Sequence, residues 1–142
     1  MAKMNWKGKN VLVTGADGFI GSHLAKALDD KGTSVVTIVR DIKKKSNIDI
    51  LGLKNKISVI HGNLVNYADC ERVINEYDIE LCFHLAAQAI VGPANRSPLS
   101  TFESNIKGTW NLLEASRLSK TIKGIVIASS DKAYGQQNKL PY

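Results

Sequence analysis

Three glycines at intervals of three residues follow a short apolar run near the start of the chain. Gly15, Gly18 and Gly21 come after the Val-Leu-Val run at 11–13, and helical spacing begins at Phe19. Glycine allows a sharp turn out of a strand, admits a ligand where a Cβ would intrude, and lets a helix pack closely on a sheet. The N–H groups of the first helical turn then face a bound anion. This order predicts a site for the pyrophosphate of a dinucleotide, with a purely structural glycine turn as the alternative.

A basic cluster, Arg40 to Lys45, follows a second apolar run at 35–39. In dinucleotide-binding folds an acidic residue at the end of this strand binds the adenosine ribose of NAD, whereas an arginine can pair with the 2′-phosphate of NADP. The position holds Val39, with Arg40 and then Asp41 after it. The pattern favours NADP over NAD, and a solvated basic loop is the alternative.

The elements that must position these residues alternate between apolar runs and stretches of helical spacing. The predicted strands are 11–14, 35–39, 57–60, 81–84 and 125–128, and the predicted helices are 19–31, 48–53, 67–77 and 98–118. This alternation predicts an α/β fold, a doubly wound parallel sheet of the Rossmann type with strand order 3-2-1-4-5. Ligands of such sheets bind beyond the carboxyl ends of the strands, at the switch between strands 1 and 4. The helix 98–118 is predicted to turn four apolar side chains inward: Ile106, Trp110, Leu113 and Leu118.

The composition excludes several other classes of protein. The chain has 142 residues, one domain by length, and its 44% hydrophobic content is ordinary for a globular protein. No apolar run approaches the roughly 20 residues that cross a bilayer, and no signal-like segment opens the chain, so we expect a cytoplasmic protein without membrane partners. The net charge of +6 is spread along the chain without interleaved aromatics, which argues against nucleic-acid binding. Cys70 and Cys82 lack metal-site spacing and fit buried positions.

Five motifs in order resemble the extended short-chain dehydrogenase/reductase family, also called the NAD-dependent epimerase/dehydratase family. The first is the glycine turn, Thr14-Gly15-x-x-Gly18-x-x-Gly21. The others are Gly62-Asn63-Leu64 after strand 3, His84 to Gln88 at the end of strand 4, Asn105 to Ala115 in the following helix, and Ser129 to Gly135 after strand 5. The resemblance covers essentially the whole chain.

The resemblance implies a set of residues that bind the dinucleotide, NADP or NAD. They are Gly15, Asp17, Gly18, Phe19, Ile20, Gly21, Arg40, Asn63, Leu64, Leu85, Ala86, Ala87, Gln88 and Ser104. Asn63 stands where the family usually has an aspartate near the adenine. Its amide can still donate and accept hydrogen bonds.

Within the family, Ser130-Asp131-Lys132 resembles the Ser-Asp-Lys of CDP-glucose 4,6-dehydratases, and the segment from His84 to Pro98 also resembles the dehydratases. This implies a nucleotide-sugar 4,6-dehydratase with CDP-glucose or GDP-mannose as substrate. Ser130 would bind the sugar C4 hydroxyl, Asp131 would protonate the departing C6 hydroxyl, and Lys132 would take the C5 proton.

Several alternatives stay open for these residues. A lysine can be the C5 base only if desolvation or a neighbouring cation favours its neutral form. Taken alone, the tripeptide is also typical of a polar turn after a buried strand. A nucleotide-sugar 4-epimerase, which needs no acid at C6, and a non-catalytic dinucleotide-binding module remain as other functions.

The catalytic Tyr-x-x-x-Lys pair of the family has no counterpart in the sequence. Tyr134 is followed four residues later by Asn138, and Tyr142 is the last residue. The resemblance therefore implies that residues 1–142 are the dinucleotide-binding domain from roughly the N-terminal half of such an enzyme, without the Tyr/Lys helix and the C-terminal substrate domain. We expect this chain alone to be inactive, and to self-associate through apolar positions such as Trp110 and Leu113.

Overall fold

In the computed structural model of the protein, residues 5–41, 45–136 and 139 are described. The strands are β1 (Asn10–Thr14), β2 (Ser34–Val39), β3 (Ser58–His61), β4 (Leu81–His84) and β5 (Gly124–Ile127). The helices are α1 (Phe19–Asp29), α2 (Asn47–Ile50), α3 (Tyr67–Glu76), α4 (Val91–Arg96), α5 (Pro98–Phe102) and α6 (Gly108–Leu118). A π-helical turn, Glu103–Lys107, joins α5 to α6, and a 3-10 turn, Asp131–Tyr134, follows β5. Lys43 and Lys44 of the basic cluster, as well as Asn138 and Tyr142, lie outside the described residues.

The five strands form one parallel sheet in the order β3-β2-β1-β4-β5. This confirms the predicted α/β class and the predicted strand order. At the centre of the sheet, Leu12 of β1 pairs with Val36 of β2 on one side and with Cys82 of β4 on the other. The order reverses between β1 and β4, so the ends of these two strands define the crevice in which ligands of such sheets bind.

Alternating side chains of β1 supply both layers of the core. Val11 and Val13 face the layer that holds α1 and α2, where they join Leu28 of α1. Leu12 faces the layer that holds α3 and α6, where it joins Val73 of α3. All three β1 side chains are completely buried, as expected for a parallel sheet covered by helices on both faces.

Both cysteines are free thiols buried in the α3 layer. Burial raises the pKa of each thiol to about 12, so neither has the thiolate character of a reactive cysteine. Cys70 and Cys82 therefore act as small apolar core residues.

The inward face predicted for the last long helix is wrong. Ile106, Trp110 and Leu113 are exposed, and Leu118 is 56% exposed. The buried residues of α6 are small or polar apart from one leucine: Gly108, Asn111, Leu112, Ala115 and Ser116. The prediction placed the largest apolar side chains inward, whereas α6 packs against α3 through small residues that permit a close approach.

The sequence did not predict α4. Its first turn contains Gly92 and Pro93, both unfavourable in a helix interior. A proline is nonetheless tolerated in the first turn, because the N–H that it lacks would have no intrahelical acceptor.

Candidate dinucleotide-binding site

At the glycine turn between β1 and α1, three backbone segments lie close together: the turn itself, the start of α1 and the segment after β4. Gly15 has φ +73°, and a Cβ there would lie 2.8 Å from the backbone nitrogen of Ala86. A Cβ on Gly21 would overlap the carbonyl oxygen of Gly15, and one on Gly18 would lie 3.2 Å from the same oxygen. Glycines at 15 and 21 therefore let α1 pack directly on the turn, at the carboxyl ends of β1 and β4.

The start of α1 presents backbone donors at this turn. Gly18 is the N-cap residue, and no side chain caps the helix. The N–H groups of the first turn have no acceptor one turn back, and they form the positive end of the helix dipole. The side chains of Phe19 and Ile20 are mostly exposed, so they do not cover the N-terminal end of α1. This arrangement suits a phosphate group.

A cavity of about 340 Å³ lies beyond the carboxyl ends of β1, β2 and β4. The residues that the sequence assigns to the dinucleotide and that line this cavity are Gly15, Asp17, Gly18, Arg40, Asn63, Leu64, Leu85, Ala86, Ala87, Gln88 and Ser104. Phe19, Ile20 and Gly21 are not among the residues that line the cavity. The sequence assignment omitted other lining residues: Ile38, Val39, Asp41, Gly62, Val65 and Ser100. Val39, Asp41, Gly62 and Val65 are each adjacent in sequence to an assigned position, which is the signal that could have found them.

Two side chains of opposite charge, Arg40 and Asp41, lie at the β2 end of the cavity. The Arg40 Nε donates to Asp41 Oδ2 at 2.8 Å, and the Arg40 Nη2 lies at the same distance from that oxygen. Both side chains are more than half exposed. An exposed pair of this kind contributes at most about 1 kcal/mol, so a ligand phosphate can replace the carboxylate at little cost.

The loop after β3 is held from two sides. The Asn63 N–H donates to Asp69 Oδ2 at 2.9 Å, and Asn63 Oδ1 accepts from the Val65 N–H at 3.1 Å. From the other side, Asn111 of α6 donates to the carbonyl oxygens of Leu64 and Val65, both at 2.9 Å. Asn111 is buried, so these bonds satisfy a side chain that would otherwise be costly inside the protein.

The loop after β4 is held by the π-helical turn. Asn105 Oδ1 accepts from the Gln88 N–H at 2.7 Å, and Asn105 Nδ2 donates to the Gln88 carbonyl at 3.2 Å. The same turn carries Ser104, which lines the cavity. One amide side chain thus fixes the backbone at the far end of the segment Leu85 to Gln88.

The structure brings Ser130, Asp131 and Lys132 together with one another but not with the cavity. Ser130 caps the 3-10 turn by accepting from the Lys132 N–H at 3.2 Å, and its hydroxyl donates to Asp131 Oδ1 at 3.3 Å. Lys132 Nζ lies 3.9 Å from Asp131 Oδ2, and its side chain is 83% exposed. The described residues therefore do not supply the desolvation that a lysine base requires.

Among the described residues, no group of three metal-ligating side chains could hold a metal ion. In the same part of the chain, no helix has both the length and the apolar character needed to span a bilayer.

A family model described as GDP-mannose 4,6 dehydratase matches residues 12–142. The chain belongs to the NAD-dependent epimerase/dehydratase family. Within this family, the chain corresponds to the domain that carries the Rossmann sheet.

Curated relatives include both epimerases and dehydratases. The chain is 33% identical over 134 residues to CDP-paratose 2-epimerase from Salmonella typhi, covering 93% of this chain and 40% of the relative. It is 33% identical over 130 residues to CDP-glucose 4,6-dehydratase from Salmonella typhimurium, covering 91% of this chain and 36% of that enzyme. It is 34% identical over 136 residues to UDP-glucose 4-epimerase from Klebsiella pneumoniae, covering 93% of this chain and 96% of the relative. These near-equal identities do not separate the two activities.

Solved structures of the family share the fold. UDP-glucose 4-epimerase from Thermotoga maritima, solved with UDP-glucose, matches with a TM-score of 0.79 at 32% identity, covering 92% of this chain and 41% of its own. UDP-glucose 4-epimerase from Brucella ovis, solved with NAD, matches with a TM-score of 0.78 at 30% identity, covering 94% of this chain and 39% of its own. The chain thus spans about two fifths of the length of these structures.

Proposed function

We propose that this chain is the dinucleotide-binding domain of a nucleotide-sugar 4,6-dehydratase and that it holds NAD or NADP in the cavity beyond β1, β2 and β4. The observation that carries the proposal is the glycine turn, which places the uncapped start of α1 at the mouth of that cavity. The Brucella ovis epimerase, which has the same fold, is a complex with NAD. When bound, the nicotinamide cofactor accepts and returns a hydride.

Each wall of the cavity takes one part of the cofactor in this proposal. The N–H groups of the first turn of α1, from Phe19 to Gly21, bind the pyrophosphate, whereas the Gly18 N–H donates to the Gly15 carbonyl within the turn. Arg40 and Asn63 lie on the adenosine side, since they follow β2 and β3. The segment Leu85 to Gln88, together with Ser104, borders the remaining half of the cofactor.

We propose NADP as the preferred cofactor. Arg40 lines the cavity beside the end of β2, and its exposed guanidinium, which binds one carboxylate oxygen of Asp41, can instead bind a 2′-phosphate. NAD remains the alternative because Asp41 can accept a hydrogen bond from a ribose hydroxyl.

Ser130, Asp131 and Lys132 support the dehydratase activity over the epimerase activity. Loss of water across C5 and C6 needs an acid at the C6 hydroxyl, the role proposed for Asp131, and a base at C5. Lys132 is proposed as that base, with the bound sugar and cofactor supplying the desolvation that its exposed amine otherwise lacks. Ser130 would bind the C4 hydroxyl of CDP-glucose or GDP-mannose. The match to the GDP-mannose 4,6 dehydratase model supports this activity. The similarity to epimerases keeps 4-epimerisation as the second candidate.

The first test is isothermal titration of the 142-residue chain with NADP and then with NAD. The proposal expects micromolar binding with NADP the tighter ligand, and no turnover of CDP-glucose or GDP-mannose by the chain alone. Absence of binding by both cofactors would overturn the proposed site.

A chimaera tests the sugar chemistry. The chain replaces the matching segment of the Salmonella typhimurium CDP-glucose 4,6-dehydratase, and retained cofactor binding reports that the chimaera folds. Formation of the 4-keto-6-deoxy sugar supports the dehydratase, and its loss in a Lys132→Met variant supports the base role. Normal elimination by that variant would remove Lys132 from the mechanism.

A further inference from the structure

A buried histidine connects the two central strands of the site to the long helix. His84 ends β4 and is 3% exposed. Its Nδ1 lies 2.7 Å from Oγ1 of Thr14, the last residue of β1, and its Nε2 lies 2.9 Å from Oγ1 of Thr109 in α6. One imidazole ring therefore bridges β1 and α6.

The hydroxyl of Thr109 fixes which ring nitrogen carries the proton. Thr109 Oγ1 lies 2.7 Å from the backbone carbonyl of Asn105, which can only accept a hydrogen bond. The single hydroxyl proton of Thr109 is therefore used in that bond. Consequently Thr109 Oγ1 accepts from His84, and the ring proton lies on Nε2.

The hydroxyl of Thr14 connects the His84 ring to the loop after β4 by hydrogen bonds. With the proton on Nε2, Nδ1 has a lone pair and accepts the hydroxyl proton of Thr14. The oxygen of Thr14 is then the acceptor for the N–H groups of Leu85 and Ala86, each at 3.2 Å. The Leu85 N–H also donates to the backbone carbonyl of Thr14 at 3.2 Å, so the hydroxyl oxygen is one of its two acceptors. From the Thr14 hydroxyl to the Asn105 carbonyl, each hydroxyl or ring proton has one acceptor.

We propose that His84 is a positioning residue for the dinucleotide site: as the neutral Nε2–H tautomer it aligns the Thr14 hydroxyl, which holds the Leu85 and Ala86 amides in the cavity wall. His84 is not among the residues that line the cavity, whereas Leu85 and Ala86 are. Gly15 packs against these same two backbone units. The effect on cofactor binding rests on the proposed function, but the hydrogen-bond order does not.

The other protonation states of the His84 ring do not fit this series of hydrogen bonds. A proton on Nδ1 would need the Thr14 oxygen as its acceptor, in competition with two amides, and the Thr14 hydroxyl proton would lose its own acceptor. The groups that contact the ring or pair with its backbone are uncharged: Thr14 from β1, Thr109 from α6 and Ile127 from β5. Burial lowers the pKa of His84, which also favours the neutral ring.

The test uses the 142-residue chain and a pair of variants at one position. Thr109→Val removes the acceptor of the Nε2 proton, and Thr109→Ser keeps the hydroxyl. Ser116→Ala is the matched control. The Ser116 hydroxyl also donates to a carbonyl four residues back in α6, that of Leu112, but it makes no hydrogen bond to His84, Thr14 or Thr109.

Three readouts are compared in these proteins. Nitrogen-15 spectra of the histidine rings report the tautomer, amide exchange reports the Leu85 and Ala86 hydrogen bonds, and calorimetry with NADP and NAD reports binding. We expect the Nε2–H tautomer in the unmodified chain. In Thr109→Val we expect faster exchange at Ala86, and a smaller change at Leu85, whose N–H also donates to the Thr14 carbonyl. We also expect about tenfold weaker binding of both cofactors, as for the loss of one hydrogen bond. Thr109→Ser and Ser116→Ala should match the unmodified chain.

Two results would overturn the positioning role. One is an Nδ1–H or doubly protonated ring at neutral pH, and the other is unchanged Ala86 exchange in Thr109→Val. If that variant fails to fold, the ring spectrum of the unmodified chain and the exchange in Thr109→Ser decide. Absence of cofactor binding by the unmodified chain would refute the proposed function, while the spectrum and the exchange would still test His84.

Discussion

In the proposed site, Arg40 is the residue that would distinguish NADP from NAD. Its ion pair with Asp41 is exposed, so the guanidinium can exchange the carboxylate for a phosphate. Because charge-assisted bonds to phosphate are worth more than neutral ones, Arg40→Ala should weaken NADP binding about ten- to hundredfold. NAD binding should change less than about threefold, since it has no 2′-phosphate. Isothermal titration with both cofactors measures the difference.

Lys45→Ala is the control for Arg40→Ala. Lys45 is exposed and belongs to the same basic cluster, but it does not line the cavity. Its loss should leave both affinities unchanged. Equal losses for NADP and NAD in Arg40→Ala would argue that the arginine shapes the loop instead of binding the 2′-phosphate.

His84 makes the stability of the fold depend on pH. Burial lowers its pKa from 6.5, so the unfolded chain binds a proton more readily than the folded chain does. Stability from this group is complete above about pH 6.5, and it is lost as the pH falls toward the lower folded pKa, by at most about 1.4 kcal/mol per pH unit. Urea unfolding between pH 7.5 and about 5 measures this slope.

A variant separates His84 from other acid-sensitive groups. His84→Gln should flatten the slope just below pH 6.5, whereas His23→Gln, at an exposed position of α1, should leave it unchanged. An unaltered slope in the His84 variant would assign the pH dependence to other residues.

At the scale of elements, the junction of β1 and α1 depends on Gly21. A Cβ at this position would meet backbone atoms of Gly15, which cannot move without opening the turn. Gly21→Ala should therefore destabilise the protein by about 1–3 kcal/mol, as overpacking does. Thermal or urea unfolding measures the loss.

Gly92→Ala provides the matched comparison in another helix. A Cβ at Gly92 would meet only the Arg96 side chain at 3.7 Å, an ordinary contact. Because alanine is the better helix former, this variant should be neutral or slightly more stable. Equal destabilisation by both changes would mean that the close approach of α1 to the turn is not what Gly21 provides.

The central strands were predictable from the sequence because both of their faces are buried. Residues 11–13 of β1 are all apolar, as are residues 35–39 of β2 except Thr37, and the predicted bounds differ from the observed ones by one residue at most. The last helix was not predictable in the same way. Its inner face combines Gly108, Ala115 and Asn111 with a single large apolar residue, and a π-helical turn interrupts its period. Hydrophobic spacing cannot detect a face whose contacts are close backbone packing and hydrogen bonds.

The same limit applies to the candidate site. Most of the lining positions follow from the glycine turn and from the ends of the strands, since parallel strands end at one edge of the sheet. The residues that hold the lining loops could not be found in this way. Asn105, Thr109 and Asn111 are distant in sequence from the loops that they bind, and their partners are loop carbonyls, amides and one histidine.

At the scale of the whole molecule, the cavity and an exposed apolar surface on α6 and β5 lie in different places. Trp110 and Leu113 of α6 form a shallow depression with Ile125 of β5, and Glu114 and Arg117 of α6 border it. In the described sheet, β5 is an edge strand that pairs only with β4. A contiguous apolar patch at such an edge is typical of an interaction surface. We propose that a second copy of the chain covers it.

Self-association through this patch should depend on concentration and on α6. Sedimentation velocity of the chain should show a dimer at high concentration, because pairing two patches removes their apolar side chains from water. Leu113→Glu places a charge within the patch and should shift the chain to a monomer. Ile50→Glu is the matched control, since Ile50 is 61% exposed on α2, in the opposite layer of the fold. A monomer at high concentration, or equal effects of the two variants, would show that the α6 and β5 surface does not bind a second copy.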